Sequence, residues 1–169
     1  MYLNRGNLVI RNATIDDAQT LCNWWNNGKV MAHAGFPNGI GTTREAISES
    51  LKKDNEKNRR LILQINGASV GEMNYREVAE NVVEIGIKIC DANQQEKGYG
   101  SQFLKMLISC LFEQMGYQKI ILDTNLKNIR AQHVYEKIGF KKVAVNIASW
   151  KNQLGELQSS IDYELKKDV

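Results

Sequence analysis

Residues Asn81 to Gly116 read NVVEIGIKICDANQQEKGYGSQFLKMLISCLFEQMG. At the start the residues alternate: Val83, Ile85, Ile87 and Ile89 share one face, and Val82, Glu84, Gly86 and Lys88 share the other. Period two predicts a strand. From Ser101, the residues Leu104, Leu107, Ile108, Leu111 and Met115 fall at helical spacing, and Gly116 supplies a stop. Between strand and helix, Asp91 to Ser101 carry two glycines and several polar residues. A plain connecting loop explains them. An anion cradle explains them too. In a strand-loop-helix turn, the backbone N–H groups of Glu96, Lys97, Gly98, Tyr99, Gly100 and Ser101 turn toward one point, beside the positive end of the helix dipole. Gly98 and Gly100 permit otherwise costly backbone angles and the close approach of a phosphate.

The flanks set the fold class. NLVIRNA (Asn7 to Ala13) predicts a first strand, and Thr14 before Ile15-Asp16-Asp17 predicts a helix start, with the helix running to about Asn27. Thr42 and Glu45 have capping-box spacing ahead of a second helix, REAISESLKKDNEK. RRLILQI and ASVGEMNYR flank Asn66-Gly67, a strong hairpin signal. Beyond Gly116, KIILDT predicts a strand, NIRAQHVYEKIG a helix, and FKKVAVNIASW and SSIDYELKK two final strands. The order β-α-α-β-β-β-α-β-α-β-β predicts one α/β domain over residues 1–169, with a twisted sheet of mixed parallel and antiparallel pairs flanked by helices.

Composition narrows the function classes. A chain of 169 residues is long enough to bury a core. A net charge of +3, with dispersed basic residues, gives no reason to expect a nucleic-acid partner. No apolar run approaches the roughly 18 residues of a membrane helix and no signal-peptide pattern appears, so a cytoplasmic protein without a membrane partner is expected. Cys22, Cys90 and Cys110 are an odd number without CxxC spacing, and His33 and His133 are too few for a typical zinc cluster, so no metal is expected.

The phosphate patterns can be sorted. GxxxxGK[ST] is absent, and GxGxxG fails because Phe103 stands at the third glycine position. What remains is Gln95-x-x-Gly98-x-Gly100, followed downstream by Asn128-x-x-Ala131-x-x-x-Tyr135-x-x-x-Gly139-Phe140. In order and spacing the pair resembles the GNAT superfamily of acyl-CoA-dependent N-acyltransferases. There a (Q/R)xxGx(G/A) loop binds the CoA pyrophosphate and the second segment follows the next strand. The likeness spans nearly the whole chain. LVIRNATIDDAQTLCNWWNN and GELQSSIDYELKK are further similar to the branch that includes the N-terminal acetyltransferases of ribosomal proteins.

The resemblance implies an acetyl-CoA-dependent N-acetyltransferase. Its acceptor would be a primary amine, on a small molecule or a protein N-terminus, attacking the thioester directly within a ternary complex. A non-catalytic acyl-CoA sensor or scaffold is the alternative, and homodimers are common among such proteins. It implies that the Ile87-Lys88-Ile89 backbone holds pantetheine, that the loop from Gln95 to Ser101 holds pyrophosphate, and that Asn128 touches the arm. As a bare residue Asn128 also reads as a helix cap. Tyr135 matches the tyrosine that protonates the departing thiolate, a feasible transfer because phenol and alkylthiol have similar pKa values; it also reads as an interior helix tyrosine. Glu84 is an unexpected carboxylate mid-strand and the first candidate for the base, with Glu72 the second and solvent the third. A strand carboxylate paired with a nearby Arg or Lys is the plainer account of Glu84. Trp24 and Trp25 read as acceptor-pocket walls or as packing, and HAGFPNGIG as a mobile lid or a connector.

Overall fold

Asn66 (φ 51°) and Gly67 (φ 80°) take the left-handed backbone that a tight hairpin requires. They join β3 (Asn58–Ile65) to β4 (Ala68–Ala79), and β5 (Val82–Ile89) continues the antiparallel run. In this computed structural model, which describes residues 1–168, β1 (Tyr2–Arg5) and β2 (Leu8–Asn12) precede these strands. Between β2 and β3 come α1 (Ala18–Trp25), α2 (Gly28–Met31) and α3 (Arg44–Leu51). After β5 follow α4 (Tyr99–Ser109), β6 (Lys119–Asn125), α5 (Ile129–Ile138), β7 (Lys141–Lys151) and β8 (Leu157–Lys166). All eight strands form one sheet, ordered β1-β2-β3-β4-β5-β6-β8-β7.

Period-two burial decides what covers each face. Leu61, Leu63, Met73, Tyr75, Val83 and Ile85 pack with Phe103, Leu104, Leu107 and Leu111 of α4, and Tyr135 of α5 joins this core. On the other face Ile62 meets Leu21 of α1 and Ile47 and Leu51 of α3. No helix among the described residues is long and apolar enough to cross a membrane.

One junction shapes the site. β5 and β6 are the sheet's parallel neighbours, and their pairing covers only Val82↔Lys119, Val83↔Ile120 and Glu84↔Ile121. Beyond it β5 stays bonded to β4 as far as Ile89, and β6 stays bonded to β8 as far as Asn125. The two strands therefore part.

The mixed α/β sheet agrees with the sequence reading, and several boundaries differ. β1 was not foreseen, because Tyr-Leu-Asn-Arg has little apolar alternation and lies at the sheet edge. The α3 cap is Thr43, which accepts the Ala46 N–H at 3.1 Å, not Thr42. α3 also stops at Leu51, short of the expected Lys57. There Asp54 accepts the Arg60 N–H and Asn55 accepts those of Lys57 and Asn58, so side chains replace the helical bonds. α1 ends at Trp25, where Asn26 exchanges hydrogen bonds with the Thr42 backbone and Asn27 caps the short α2. α4 begins at Tyr99 and finishes in a π turn over Cys110–Gln114. The segment read as a lid or connector is tied to the β7–β8 turn, since Gln153 bonds Asn38 N–H and the Gly39 carbonyl through its side chain and the Gly35 carbonyl through its N–H.

Candidate active site

A cavity of about 730 Å³ occupies the opening between β5 and β6. Ile85 to Ile89 form one wall. Because β5 remains bonded on its β4 side, only the N–H and C=O groups directed toward β6 lack a strand partner. The Ile89 carbonyl accepts from Gln95 Nε2 at 2.9 Å, which ties the next loop to the end of the strand.

That loop is built from local polar contacts. Asp91 accepts the Asn93 N–H at 2.9 Å and opens a 3-10 turn over Ala92–Gln94. Glu96 (φ 60°) and Gly98 (φ 81°) then turn left-handed, and Gly98 stands at the N-cap of α4 with no side-chain cap bond. The Gln102 N–H reaches back to the Gly98 carbonyl, so those of Tyr99, Gly100 and Ser101 have no intrahelical partner. Gly100 is the informative glycine. Its φ is not left-handed, and a Cβ there would meet nothing within 4 Å. Glycine inside a helix costs about 1 kcal/mol relative to alanine, and no neighbouring atom demands it. Open space beside uncapped N–H groups fits a phosphate-bearing ligand.

α5 supplies the opposite wall. Asn128 caps it, accepting the Ala131 N–H at 3.2 Å, and also lines the cavity. Two turns on, Tyr135 is 6% exposed. Its ring is held by Tyr163 (centroids 5.7 Å apart, T-shaped) and Phe140 (6.0 Å, tilted). Among the described residues nothing hydrogen-bonds its hydroxyl, and that oxygen is not sealed from the cavity it lines. Burial, then the nearby Asp123 carboxylate, pushes the phenol up to about 12.

A family model for the acetyltransferase (GNAT) domain matches residues 7–141. The chain belongs to the GNAT acetyltransferases. It is 27% identical over 145 residues to the uncharacterized N-acetyltransferase YnaD of Bacillus subtilis (strain 168), covering 84% of each chain. Two solved structures share the fold at low identity. The spermidine N-acetyltransferase of Vibrio cholerae, in complex with CoA and spermine, superposes with a TM-score of 0.85 at 19% identity, covering 96% of both chains. RimL, a ribosomal-protein alpha-N-acetyltransferase in complex with coenzyme A, gives 0.88 at 13% identity, covering 99% of both.

Of the residues expected to hold the cofactor in this GNAT domain, Ile87, Lys88, Ile89, Gln95, Glu96, Gly98, Tyr99, Gly100, Ser101 and Asn128 line the cavity, and Lys97 does not. Glu84, expected as base, lies outside the cavity wall. Its carboxylate pairs with Arg76 across the β4–β5 ladder at 2.9 Å, as the plainer reading had it. Glu72, the second candidate, also lies outside. It is 6% exposed and accepts from Trp25 Nε1 at 3.0 Å and from Arg60 at 2.8 Å, with the Arg60 guanidinium 4.5 Å over the Trp25 ring. Trp24 and Trp25 pack beside the α1–α3 core. The acid that sequence reasoning missed is Asp123, which lines the cavity with Tyr135. Its signal was available: a lone carboxylate inside KIILDT, a strand otherwise read as buried.

Proposed function

We propose that this protein transfers the acetyl group of acetyl-CoA to a primary amine, on a small molecule or a protein N-terminus, by direct attack within a ternary complex. One convergence supports this reading. The open backbone edge of β5, the uncapped start of α4 and the unpartnered Tyr135 hydroxyl all border a single cavity. Bound there, the thioester supplies an acetyl group on a thiol leaving group. The backbone of Ile87, Lys88 and Ile89 holds the pantetheine arm and polarises the thioester carbonyl. The N–H groups from Glu96 to Ser101 hold the pyrophosphate, with Gln95 fixing the loop that presents them and Lys97 adding positive charge at its rim. Asn128 borders the arm while capping α5. Tyr135 is protonated at neutral pH and gives the sulfur its proton, although its pKa of about 12 makes it a weaker acid than an ordinary phenol.

The named acceptors of the structural relatives, spermidine and a protein α-amine, share the primary amine assigned here. A module that only binds acyl-CoA has no use for a buried hydroxyl without a partner. The three cysteines are free and buried, which suits a reducing, cytoplasmic setting. The test is acetyl-CoA-dependent release of free thiol across peptides with Ser, Ala or Thr N-termini, polyamines, aminoglycosides and amino acids, read against a no-acceptor blank. Turnover with one class is expected. Silence with all of them, while CoA still binds, would favour the binding-only module.

A further inference from the structure

Three carboxylates meet where β5 and β6 part. Glu84 stands opposite Ile121, so Glu84 and Asp123 point to the same sheet face, and Asp123 pairs directly with Asp162 of β8. Two of the three are engaged: Glu84 with Arg76 at 2.9 Å, and Asp162 accepting from Asn146 Nδ2 at 3.0 Å. Asp123 has no ion pair and no side-chain hydrogen bond among the described residues, and only its own backbone N–H donates to it. An unpaired carboxylate beside two others raises the free energy of the folded state. Asp123 is open to solvent where it lines the cavity, and no protein group there pairs with it among the described residues.

A second observation comes from the other wall. The Tyr135 hydroxyl belongs to a residue 6% exposed, has no partner, and opens into the cavity that Asp123 lines. Two polar groups without protein partners thus bracket one space, each near enough for the Asp123 charge to act on the phenol. Taking the transferase reading as its basis, we infer that Asp123 receives the acceptor as an ammonium ion and takes its proton, freeing the lone pair that attacks the thioester carbonyl. As the C–N bond forms and the C–S bond breaks, Tyr135 gives its proton to the sulfur, and the second proton shed by the nitrogen returns to the Tyr135 phenolate. Asp123 then releases the first proton to solvent. Although Asp123 stays open to solvent, the cavity wall around it, followed by Glu84 and Asp162, lifts its carboxyl above the ordinary range, which improves it as a base. Lys29, His33, Lys88, Glu96, Arg130 and Tyr135 also line this cavity. The acid limb of a pH profile must therefore be assigned by substitution.

Asp123→Asn keeps the shape and removes the charge. The measurements are melting temperature, CoA affinity, and thiol release against pH with an amine that the native protein acetylates. The folded-state pKa is raised, so the cost of the ionised group is absent below the unfolded carboxylate value and complete above the folded one. Asp123 is open to solvent, which screens that cost, so the variant should melt at or slightly above native protein at neutral pH, with any gain vanishing in acid. CoA affinity should stay within a few-fold. The acetylation kcat/KM should fall by about 100-fold or more and lose its acid limb. Native turnover in the variant, or a lower melting temperature, overturns the assignment alone. A native protein that binds CoA and acetylates no amine overturns the transferase reading and the assignment with it.

Discussion

Edge contacts with Tyr163 and Phe140 fix the Tyr135 ring while its hydroxyl faces the cavity. The neighbours thus hold the ring and leave the oxygen unused, so the two can be separated by one substitution. Tyr135→Phe keeps the ring contacts and should leave melting temperature and CoA affinity nearly unchanged. If the hydroxyl is the proton donor, kcat should drop by about 100-fold. Unchanged turnover would take that role away from Tyr135. The pH dependence carries its own check. The working form is the protonated phenol, and its pKa is raised to about 12. Native turnover should hold through about pH 10, where an ordinary tyrosine would be half ionised. An alkaline loss well below that would mean another group is titrating.

The start of α4 sets stability against binding at the scale of an element. A Cβ at Gly100 meets empty space, and alanine is favoured over glycine in a helix by about 1 kcal/mol. Gly100→Ala should raise the melting temperature. Gly100→Leu should keep most of that gain, because leucine is also a strong helix former, yet fill the space beside the free N–H groups. CoA affinity in the leucine variant should weaken roughly tenfold or more, a change near 1.4 kcal/mol. Equal CoA affinity in native and leucine proteins, by calorimetry, would place the pyrophosphate elsewhere. This element was legible in the sequence because period two, two glycines and period 3.6 follow one another without a break. β1, the short α2 and the π turn were not, since each depends on an edge position or on packing rather than on its own pattern. The acids were half legible. Sequence finds a carboxylate in a strand, but whether it reaches the cavity depends on where β5–β6 pairing stops and on who is opposite. Glu84 meets Arg76 and Glu72 meets Arg60 and Trp25, and none of these three partners is marked in the local sequence. Asp123 lies two residues past the last pair, and no local pattern marks that point.

Across the whole molecule, the sheet is weakest as a continuous ladder where β5 meets β6, at the three residue pairs that end with Glu84↔Ile121. β1 to β5 stand on one side of this junction, and β6, β8 and β7 on the other. A ligand in the cavity touches the β5 edge and the α4 start on one side and α5 on the other, so it ties the two halves together. CoA at a hundred times its dissociation constant adds about 2.7 kcal/mol of stability by mass action. For a domain of this size that amounts to roughly 5–10 °C in melting temperature. The shift alone would follow from binding anywhere, so its distribution is the informative quantity. In hydrogen exchange, the β5 amides directed toward the opening and those of Tyr99 to Ser101 should gain the most protection, because the ligand covers groups with no strand or helix partner. The β1–β2 hairpin at the far edge should slow only as much as global opening does. Protection spread evenly over the sheet would mean that CoA stabilises the fold without occupying the opening, and would remove the cavity as its site.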